Sequence, residues 1–514
     1  MPMCNASDNP YGESERMQTY RRSELDGSIR MQSNHEASTM GDEKSVSKNS
    51  WNMEEDFESV DWKSVESHVR GLQISISKAI INGKNNLAKR KCYLLVHSHD
   101  AKLLAVRKVT TNQGRYTAGV DGEIWVTNQQ KFRAVQQLDS KGYKPKPLRR
   151  IYIPKSNGKF RPLSIPTMKD RAMQTLYGFA LDAIQEAKAD PNSYGFRIGR
   201  GCKDANEQLF ILLSTRRSAQ WILDFDIRGC FDHISHEWLI ENIPMDKRIL
   251  RKFLKAGFIY EDKLYPMDEG TPQGGTISPI LANMTLNGME EIILRHFGPG
   301  SKVHLVRFAD DAVLTAPTRE CAEEAKELIG AFLKERGLEF SEEKTRIVHI
   351  DEGFDFLSYN FRKFKGKYKC APSKKAIKKF KDELSRTVKE AVAWTQDDLI
   401  QTLNQKIRGW CRYQDITTHS KEFKDIDNHV FRILVKWARF RHPRKNWTFI
   451  RHRYWHTRGA NKWVFCTEDS VLVRAESIPR KNHVKIRSST TAYIDWKYVE
   501  QRRARHKAVP VKRD

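Results

Sequence analysis

The 514-residue sequence has no closely spaced cysteine pair, no long apolar run and too few acidic residues to balance its basic ones. Its 8 cysteines include no C-x-x-C pair, so neither a zinc site nor a disulfide framework is indicated, and free thiols are the simpler interpretation. No apolar stretch approaches the length of a membrane span. The N-terminus has no apolar signal core and is too acidic for a typical transit peptide. These absences predict an intracellular, cytoplasmic protein without a membrane partner.

The excess of basic residues lies mostly at the C-terminal end. Lys and Arg number 90 and Asp and Glu 64, which gives a formal net charge of +26. Residues 361–514 hold 39 Lys and Arg against 15 Asp and Glu, an excess of 24. Such an excess favours binding to a polyanion, most simply nucleic acid, although a charged stretch is often only a solvated face. We therefore predict a nearly neutral catalytic part followed by a basic binding part.

Two adjacent carboxylates, Asp310 and Asp311, interrupt an apolar, strand-like run. Like charges buried side by side are unfavourable unless something compensates, and a divalent metal ion is the usual compensation. A second predicted strand carries Asp224 and Asp226 on one face, with Asp226 nearer the strand end. The alternative for an isolated aspartate is a helix cap or a turn, which fits Asp232 better than Asp226. The pattern predicts a metal site that includes Asp226, Asp310 and Asp311.

Basic and glycine-rich segments surround these acidic strands. A predicted β-hairpin presents Lys155 and Arg161, which suit phosphate contacts, although lysines also protect the edges of sheets. The loop Gly270–Pro279 opens a helix and could approach a phosphate or a base pair closely. Aromatic and basic residues interleave from Trp437 to Trp463. That mixture suits nucleic acid, and it also suits a basic helical domain with an aromatic core.

Hydrophobic periodicity divides the chain into predicted elements. Residues 1–50 show little of it and are predicted to be a disordered tail. Helical spacing over 65–109 predicts two or three helices, and continuous helices are predicted at 236–259 and 280–297. The order strand, helix, strand, strand, helix, strand over 221–350 is that of a split βαβ sheet. The predicted fold class is therefore α+β.

In this order and spacing the motifs resemble those of reverse transcriptases. They are Asp226-Ile-Arg-Gly-Cys-Phe231, Thr271-Pro-Gln273-Gly-Gly275 and Phe308-Ala-Asp310-Asp311. Four further segments resemble group II intron-encoded reverse transcriptase/maturases: the turn Gly119–Gly122, the strand Arg161–Pro166, the pair Gly409-Trp410 and the region Arg441–Trp463. The resemblance extends from about Trp51 to the C-terminus.

The resemblance implies a right-hand polymerase, with fingers and a palm built on the split βαβ sheet. An α-helical thumb or maturase (X) domain and a basic C-terminal DNA-binding region follow. The expected boundaries are 1–50 for the tail, 51–135 for a helical extension of the fingers, 136–365 for fingers and palm, 366–455 for the thumb and 456–514 for the DNA-binding region. Many family members carry a C-terminal HNH endonuclease with cysteine pairs. Its absence before Asp514 makes second-strand cleavage by this chain unexpected.

The resemblance also implies the role of each site residue. Asp226, Asp310 and Asp311, together with the backbone carbonyl of Ile227, are expected to hold two Mg²⁺ ions, for which Mn²⁺ is a possible substitute. The residues expected to bind the incoming nucleotide are Lys155, Arg161, Phe231, Gln273 and Lys344. From its position alone Phe231 would be an ordinary core aromatic, whereas the family's residue lies under the sugar and discriminates against ribonucleotides.

The function implied is that of an RNA-directed DNA polymerase of a bacterial group II intron. It binds the intron RNA, assists its splicing and copies it by target-primed reverse transcription. The expected partners are intron RNA, an RNA template with a DNA primer, target DNA and deoxynucleoside triphosphates. Two alternatives remain open, a reverse transcriptase recruited to host defence or repair and a splicing-only RNA-binding maturase. Phe308 stands where the family usually has tyrosine.

Overall fold

A computed structural model describes residues 56–154, 158, 160–418, 421–480 and 483–507. The predicted tail and Lys155 lie outside these ranges. The α-helices are α1 (Trp62–Ile81), α2 (Asn85–His97), α3 (His99–Thr111), α4 (Asn128–Gln137), α5 (Met168–Lys188), α6 (Cys202–Leu213), α7 (Cys230–His233), α8 (His236–Asn242), α9 (Lys247–Leu254), α10 (Ser278–Leu286), α11 (Met289–Phe297), α12 (Arg319–Lys334), α13 (Lys374–Glu390), α14 (Gln396–Tyr413), α15 (Lys421–Arg441), α16 (Trp447–Tyr454) and α17 (Trp496–Lys507). Among them there is no helix with the length and apolar character needed to cross a membrane.

The strands belong to two four-stranded sheets, a three-stranded sheet and a hairpin. They are β1 (Leu148–Pro154), β2 (Phe160–Ile165), β3 (Trp221–Asp226), β4 (Phe258–Tyr260), β5 (Lys263–Tyr265), β6 (His304–Phe308), β7 (Asp311–Ala316), β8 (Arg346–His349), β9 (Phe354–Phe356), β10 (Tyr359–Phe364), β11 (Lys367–Pro372), β12 (Trp455–Arg458) and β13 (Asn461–Phe465). The mixture of helix and sheet confirms the predicted α+β class.

The N-terminal helices form because capping residues and apolar spacing agree. The Asp61 side chain accepts a hydrogen bond from the Ser64 amide and caps α1. Val65, Val69 and Ile76 lie on one face of α1 and join the main core. Helices α1 and α3 both pack against α5. The predicted helical content of 65–109 is therefore confirmed, as three helices.

The palm sheet has the strand order β6-β7-β3-β8, and every pair in it is antiparallel. Strand β3 lies inside the sheet between β7 and β8. Helix α12 connects β7 to β8, and its Ala325 and Ile329 share a core with Leu223 and Phe225 of β3. Because side chains alternate along a strand, Asp224 and Asp226 point to the opposite face. The predicted split βαβ order is confirmed.

Two helices that the sequence predicted as continuous are broken. In the first, α8 ends at Asn242 before Pro244, and the segment after α9 forms β4, where Phe258 pairs in parallel with Leu148 of β1. Proline lacks an amide hydrogen and disfavours a helical residue before it, which explains the first break. In the second, Gly288 has φ of 92°, outside the helical region, and separates α10 from α11.

The thumb has its own core, formed by α13 to α16 and the hairpin β12–β13. The indole of Trp410 stacks on Phe380 with 4.8 Å between ring centroids. Phe465 and Ala475, beyond the predicted thumb boundary at 455, also belong to this core. Part of the predicted C-terminal DNA-binding region, 456–514, is therefore packed into the thumb.

The rest of that region folds back onto the fingers and palm; we call residues 483–507 the C-terminal strap. His483 Nε2 and Arg502 Nη2 lie 2.9 and 2.5 Å from Asp204 Oδ1 on α6. The Tyr493 hydroxyl donates to Asp182 Oδ2 (2.6 Å) on α5 and accepts from Gln73 on α1 (2.9 Å). The strap thus connects helices α1, α5 and α6.

We expect the burial of Asp182, the residue that accepts from Tyr493 of the strap, to make stability depend on pH. Burial, and after it the charge of Glu186, raises the pKa of Asp182 from 3.8 to about 7. Because the folded pKa lies above the unfolded one, stability is fully present below about pH 4 and is lost as the pH rises through about 7. Asp182→Asn removes this dependence, since the amide oxygen still accepts from Tyr493. Between pH 5.5 and 8.5 the melting temperature of the unmodified protein should fall more than that of the variant, by about 2 °C or more. Parallel profiles measured by calorimetry would contradict the expectation.

Candidate active site

The three predicted carboxylates lie at one end of the palm sheet. Asp226, the last residue of β3, pairs with Asp311, the first residue of β7. Phe308 of β6 also pairs with Asp311, so Ala309 and Asp310 form a two-residue turn between β6 and β7. Ala309 has φ of 57°, a left-handed conformation that is uncommon for a residue with a Cβ atom. The pairing of strands distant in sequence thus brings Asp226 beside the Asp310–Asp311 turn.

Burial dominates the electrostatics of these carboxylates. Burial, followed by the charges of Asp310 and Asp226, raises the pKa of Asp311 to about 7. Burial also raises the pKa of Asp310, against the opposing charges of Arg161 and Lys344. Buried carboxylates with raised pKa values are stabilised by a cation, because the cation offsets the cost of ionising them together. The end of the sheet therefore has the electrostatic character of a cation site.

The donor set suits a hard divalent ion such as Mg²⁺, which prefers carboxylate oxygens. Within the described ranges, no group of three acidic, histidine or cysteine side chains is placed so that it could hold a metal ion as it stands. The Asp226 carboxylate contacts the Lys344 ammonium instead. Ile227, whose carbonyl is a predicted ligand, is 2% exposed and forms an isolated bridge with Phe340. The residues fit a metal in their chemistry, and their side chains have to rotate to coordinate it.

Lys344 reaches this end of the sheet because its segment is tied to β3. It is the last residue of the short 3₁₀ helix Glu342–Lys344, which precedes β8. The Ser341 amide donates to the Asp226 carbonyl (2.8 Å) and holds this segment beside the end of β3. The hydrogen bond with Asp226 raises the pKa of Lys344. Lys344 therefore stays charged at neutral pH and offers a cation next to the carboxylates.

The fingers sheet, β2-β1-β4-β5, brings a second cation into range. Arg161 lies on β2 opposite Ile153 of β1, with its side chain exposed. Its charge lowers the pKa of Asp310, so it lies within electrostatic reach of the palm carboxylates. The Ser164 amide, also on β2, donates to the Gln273 carbonyl (2.7 Å) and fixes that loop to the fingers.

Phe231 and Gln273, far apart in sequence, are neighbours through Asp232. The Thr271 amide donates to the Phe231 carbonyl (2.6 Å), and Gln273 Nε2 donates to both carboxylate oxygens of Asp232 (3.2 and 3.1 Å). A Cβ atom on Gly270 would lie 2.4 Å from the Asp232 carbonyl oxygen, so this approach requires glycine. Asp232, for which a cap or turn was the alternative, lies within α7 and orients the predicted glutamine.

Two arginines near the site were not predicted. The Arg150 guanidinium of β1 lies 3.7 Å from the centroid of the Phe258 ring. Burial lowers the pKa of Arg150, and the charge of Asp232 opposes that change. No local signal marks it, because its partners come from distant segments. Arg307, directly before Phe308, is 1% exposed. Its signal was a charged residue within an otherwise apolar strand.

Three family profiles match this chain. Residues 153–361 match the profile described as reverse transcriptase (RNA-dependent DNA polymerase). Residues 57–138 match the N-terminal domain of reverse transcriptase, and residues 377–455 match the group II intron, maturase-specific domain. The first match contains all three carboxylates and strand β2 of the fingers sheet, and the last lies within the predicted thumb.

Individual proteins and solved structures are also similar to this chain. Protein YkfC of Escherichia coli (strain K12) is 31% identical over 311 residues, which cover 51% of this chain and 81% of that protein. Group II intron-encoded protein LtrA of Lactococcus lactis subsp. cremoris is 27% identical over 418 residues, which cover 62% of this chain and 69% of LtrA. Among solved structures, a telomerase from Candida albicans aligns at 14% identity with a TM-score of 0.36, covering 61% of this chain and 62% of the telomerase chain.

Proposed function

Because the chain belongs to the family of group II intron-encoded reverse transcriptases and maturases, and is an RNA-directed DNA polymerase, we propose that it serves a bacterial intron. In this proposal it binds the intron RNA, assists splicing and copies the RNA by target-primed reverse transcription in the cytoplasm. The observation that best supports the polymerase site is the pairing of Asp226 with Asp311 beside the Asp310 turn. The charges of Arg161 and Lys344 act on Asp310 there.

In the polymerase step, the 3′-hydroxyl of a DNA primer attacks the α-phosphate of a deoxynucleoside triphosphate, and pyrophosphate leaves. Asp226, Asp310 and Asp311, with the Ile227 carbonyl, are the groups proposed to hold the metal ions. When bound, two Mg²⁺ ions, or Mn²⁺ in their place, lower the pKa of the hydroxyl and neutralise charge on the leaving group. Burial makes the carboxylates costly to ionise on their own, so a bound cation stabilises their ionised form.

The incoming nucleotide is proposed to lie between the fingers sheet and the palm sheet. Arg161 and Lys344, together with Lys155, bind the triphosphate. The charges of Arg161 and Lys344, one on the fingers sheet and one beside the palm sheet, support this by acting on Asp310. Phe231 lies under the sugar, and Gln273 lies near the nascent base pair. Hydrogen bonds through Thr271 and Asp232 support this arrangement by fixing both residues in one unit.

The intron RNA is proposed to bind a surface formed by the end of α15, by α16 and by β13, which we call the thumb-end surface. It consists of exposed cations and aromatic rings: Arg439, Phe440, Arg441, Arg444, Lys445, Phe449, Arg453 and Trp463. Phe440 is 69% exposed, and Lys445 Nζ lies 5.2 Å from the Phe449 ring centroid. Within the described part of the chain, these cations form no ion pair with an acidic side chain. Unpaired cations beside exposed rings suit phosphates and stacked bases.

The domain division is likewise proposed. It assigns 51–135 to the extension of the fingers, 136–365 to fingers and palm, and 366–455 to the thumb, whose core also includes Phe465 and Ala475. In the proposed DNA-binding region, 456–514, the residues available to target DNA are those outside the two cores. Exposed Lys462 on the β12–β13 hairpin and exposed Arg503 and Arg505 on α17 are such residues.

Reversing two charges tests RNA binding at the thumb-end surface. The double change Arg444→Glu with Lys445→Glu should weaken binding to a group II intron transcript by about 10- to 100-fold at moderate salt. The slope of log affinity against log salt should fall by about 2, because two phosphate contacts are lost. Filter binding between 50 and 300 mM KCl measures both quantities.

The control makes the same change of net charge elsewhere. Lys326→Glu with Lys334→Glu alters α12, which packs on the face of β3 opposite to Asp226. It should leave transcript affinity within about threefold, apart from the small effect of overall charge. Equal losses in the two double variants would mean that overall charge, and not the thumb-end surface, binds the RNA.

A further inference from the structure

Arg307 is a fully buried cation directly beneath the carboxylate turn. Its Nη1 donates to Asn283 Oδ1 and to the Ala309 carbonyl, both at 3.2 Å. Its Nη2 donates to Asn287 Oδ1 (3.0 Å) and lies 4.0 Å from Asp190 Oδ2. Burial lowers the pKa of Arg307, and the charge of Asp190 opposes that change. The guanidinium is therefore held by groups on three sides, and one of them is the backbone of the turn itself.

The contact with Ala309 falls on the peptide that leads into Asp310. Ala309 adopts φ of 57°, which is unfavourable for an L-residue with a Cβ atom unless its surroundings impose it. Its carbonyl belongs to the same peptide unit as the Asp310 amide. A charged donor fixed on that carbonyl therefore sets the plane of the peptide and with it the direction in which the Asp310 side chain leaves the backbone.

The opposite side of the turn is held by the segment Asn192–Gly195. The Arg307 amide donates to the Asn192 carbonyl (3.0 Å), and the Tyr194 amide donates to the Arg307 carbonyl (2.9 Å). A Cβ atom on Gly195 would lie 2.3 Å from the Ala309 nitrogen, so the two backbones are in direct contact. Asn283 joins both supports, since its Nδ2 donates to the Gly195 carbonyl (2.8 Å). The turn is thus enclosed between Gly195 and the guanidinium.

Arg307 acts on the turn differently from the other nearby cations. The charges of Arg161 and Lys344 lower the pKa of Asp310. The Arg307 guanidinium binds the Ala309 carbonyl, and the charges of Asp190 and Glu290 act on it from the body. Its effect on the site therefore passes through the hydrogen bond to the Ala309 carbonyl.

We propose that Arg307 is a positioning residue for metal binding. By holding the Ala309 peptide in its left-handed conformation, with Asn283 and Gly195 as supports, it fixes the direction in which the Asp310 side chain leaves the backbone beside Asp226. This inference rests on the proposed function, because it takes Asp310 as a metal ligand. Loss of the guanidinium fork lets the turn relax and lowers metal affinity without removing a ligand.

The test compares Arg307→Lys with Arg197→Lys. Lysine keeps the charge in both variants, but a single ammonium cannot reproduce the planar fork. Arg197 is an equally buried arginine, 2% exposed and paired with Glu186 at 2.8 Å, and it donates to the Ser193 carbonyl (2.9 Å) near the turn. Its variant therefore reports the cost of the same change close to the turn while the Ala309 carbonyl keeps its donor. The readout is Mn²⁺ affinity of the full-length chain by electron paramagnetic resonance, together with kcat and the KM for deoxynucleotide.

We expect Arg307→Lys to weaken Mn²⁺ binding about tenfold or more and to lower kcat similarly, with the KM nearly unchanged. High Mn²⁺ should recover part of kcat, which a merely destabilised fold would not show. Arg197→Lys should lower the melting temperature while leaving Mn²⁺ affinity within about twofold. Gly195→Ala, which keeps Arg307 and displaces the turn, should weaken Mn²⁺ binding as Arg307→Lys does, and it provides the readout if Arg307→Lys does not fold.

Equal Mn²⁺ affinities in Arg307→Lys and Arg197→Lys, or unchanged affinity in Gly195→Ala, would overturn the positioning role. Asp310→Asn in the same assay separates this from a failure of the proposed function. If Asp310→Asn loses Mn²⁺ and Arg307→Lys does not, only the positioning role is wrong. If Asp310→Asn binds Mn²⁺ normally, Asp310 is not a metal ligand, and the positioning role proposed for Arg307 is then wrong as well.

Discussion

Replacing Asp310 by asparagine is expected to slow primer extension by roughly 10³-fold or more, with little loss of thermal stability. Asparagine keeps the size of the side chain and removes the charge proposed to hold the metal. Burial raises the pKa of Asp310, so its charge is costly to the folded chain and its loss does not destabilise the turn. Single-turnover extension of a DNA primer on an RNA template in Mg²⁺ measures the rate, and calorimetry measures stability.

The matched control for this experiment lies two residues from the site on the same strand face. Asp224 faces the same side of β3 as Asp226, but its Oδ2 accepts from Arg346 Nη2 at 3.0 Å. Its charge is therefore committed to a salt bridge, and Arg346 is 52% exposed and can be solvated when that partner is lost. Asp224→Asn should keep extension within about threefold. Near-normal extension by Asp310→Asn, or an equal loss in both variants, would contradict the proposed site.

Replacing Phe231 by alanine is expected to increase the use of ribonucleotides relative to deoxynucleotides by about 100-fold. The proposed role of the ring is steric, because it occupies the space that a 2′-hydroxyl would need. The ring cannot easily move aside, since Phe231 packs against the main core and its carbonyl accepts from the Thr271 amide. Steady-state kcat/KM values for matched ribo- and deoxynucleotides give the ratio.

Phe231→Tyr is the control, because it preserves the ring and changes only its outer edge. It should retain discrimination against ribonucleotides within about threefold of the unmodified protein, while Phe231→Ala loses it. Both variants should use deoxynucleotides at comparable rates, since neither touches the carboxylates. If the alanine variant discriminates as well as the tyrosine variant, Phe231 is a core aromatic and the sugar is sensed elsewhere.

The sequence was most informative where the cause of structure is local. The period of two along Trp221–Asp226 and the acidic turn after Phe308 follow from neighbouring residues, and the strand order of the palm follows from the order of the elements. Helical spacing predicted a continuous helix over 280–297, and it did not indicate the break at Gly288. A single glycine can be accommodated within a helix, so whether it ends one depends on what the two halves pack against.

The sequence by itself determined the helices of 65–109, the carboxylate strands and the family to which they belong. Only the tertiary structure decided which distant segments meet. Asp204 contacts His483 across 279 residues and Arg502 across 298 residues, which ties part of the predicted DNA-binding region to the body as a strap. Arg307 likewise turned from an irregularity in an apolar strand into the support of the Asp310 turn. Periodicity records which face of an element is buried, whereas the partner of that face depends on how the whole chain packs.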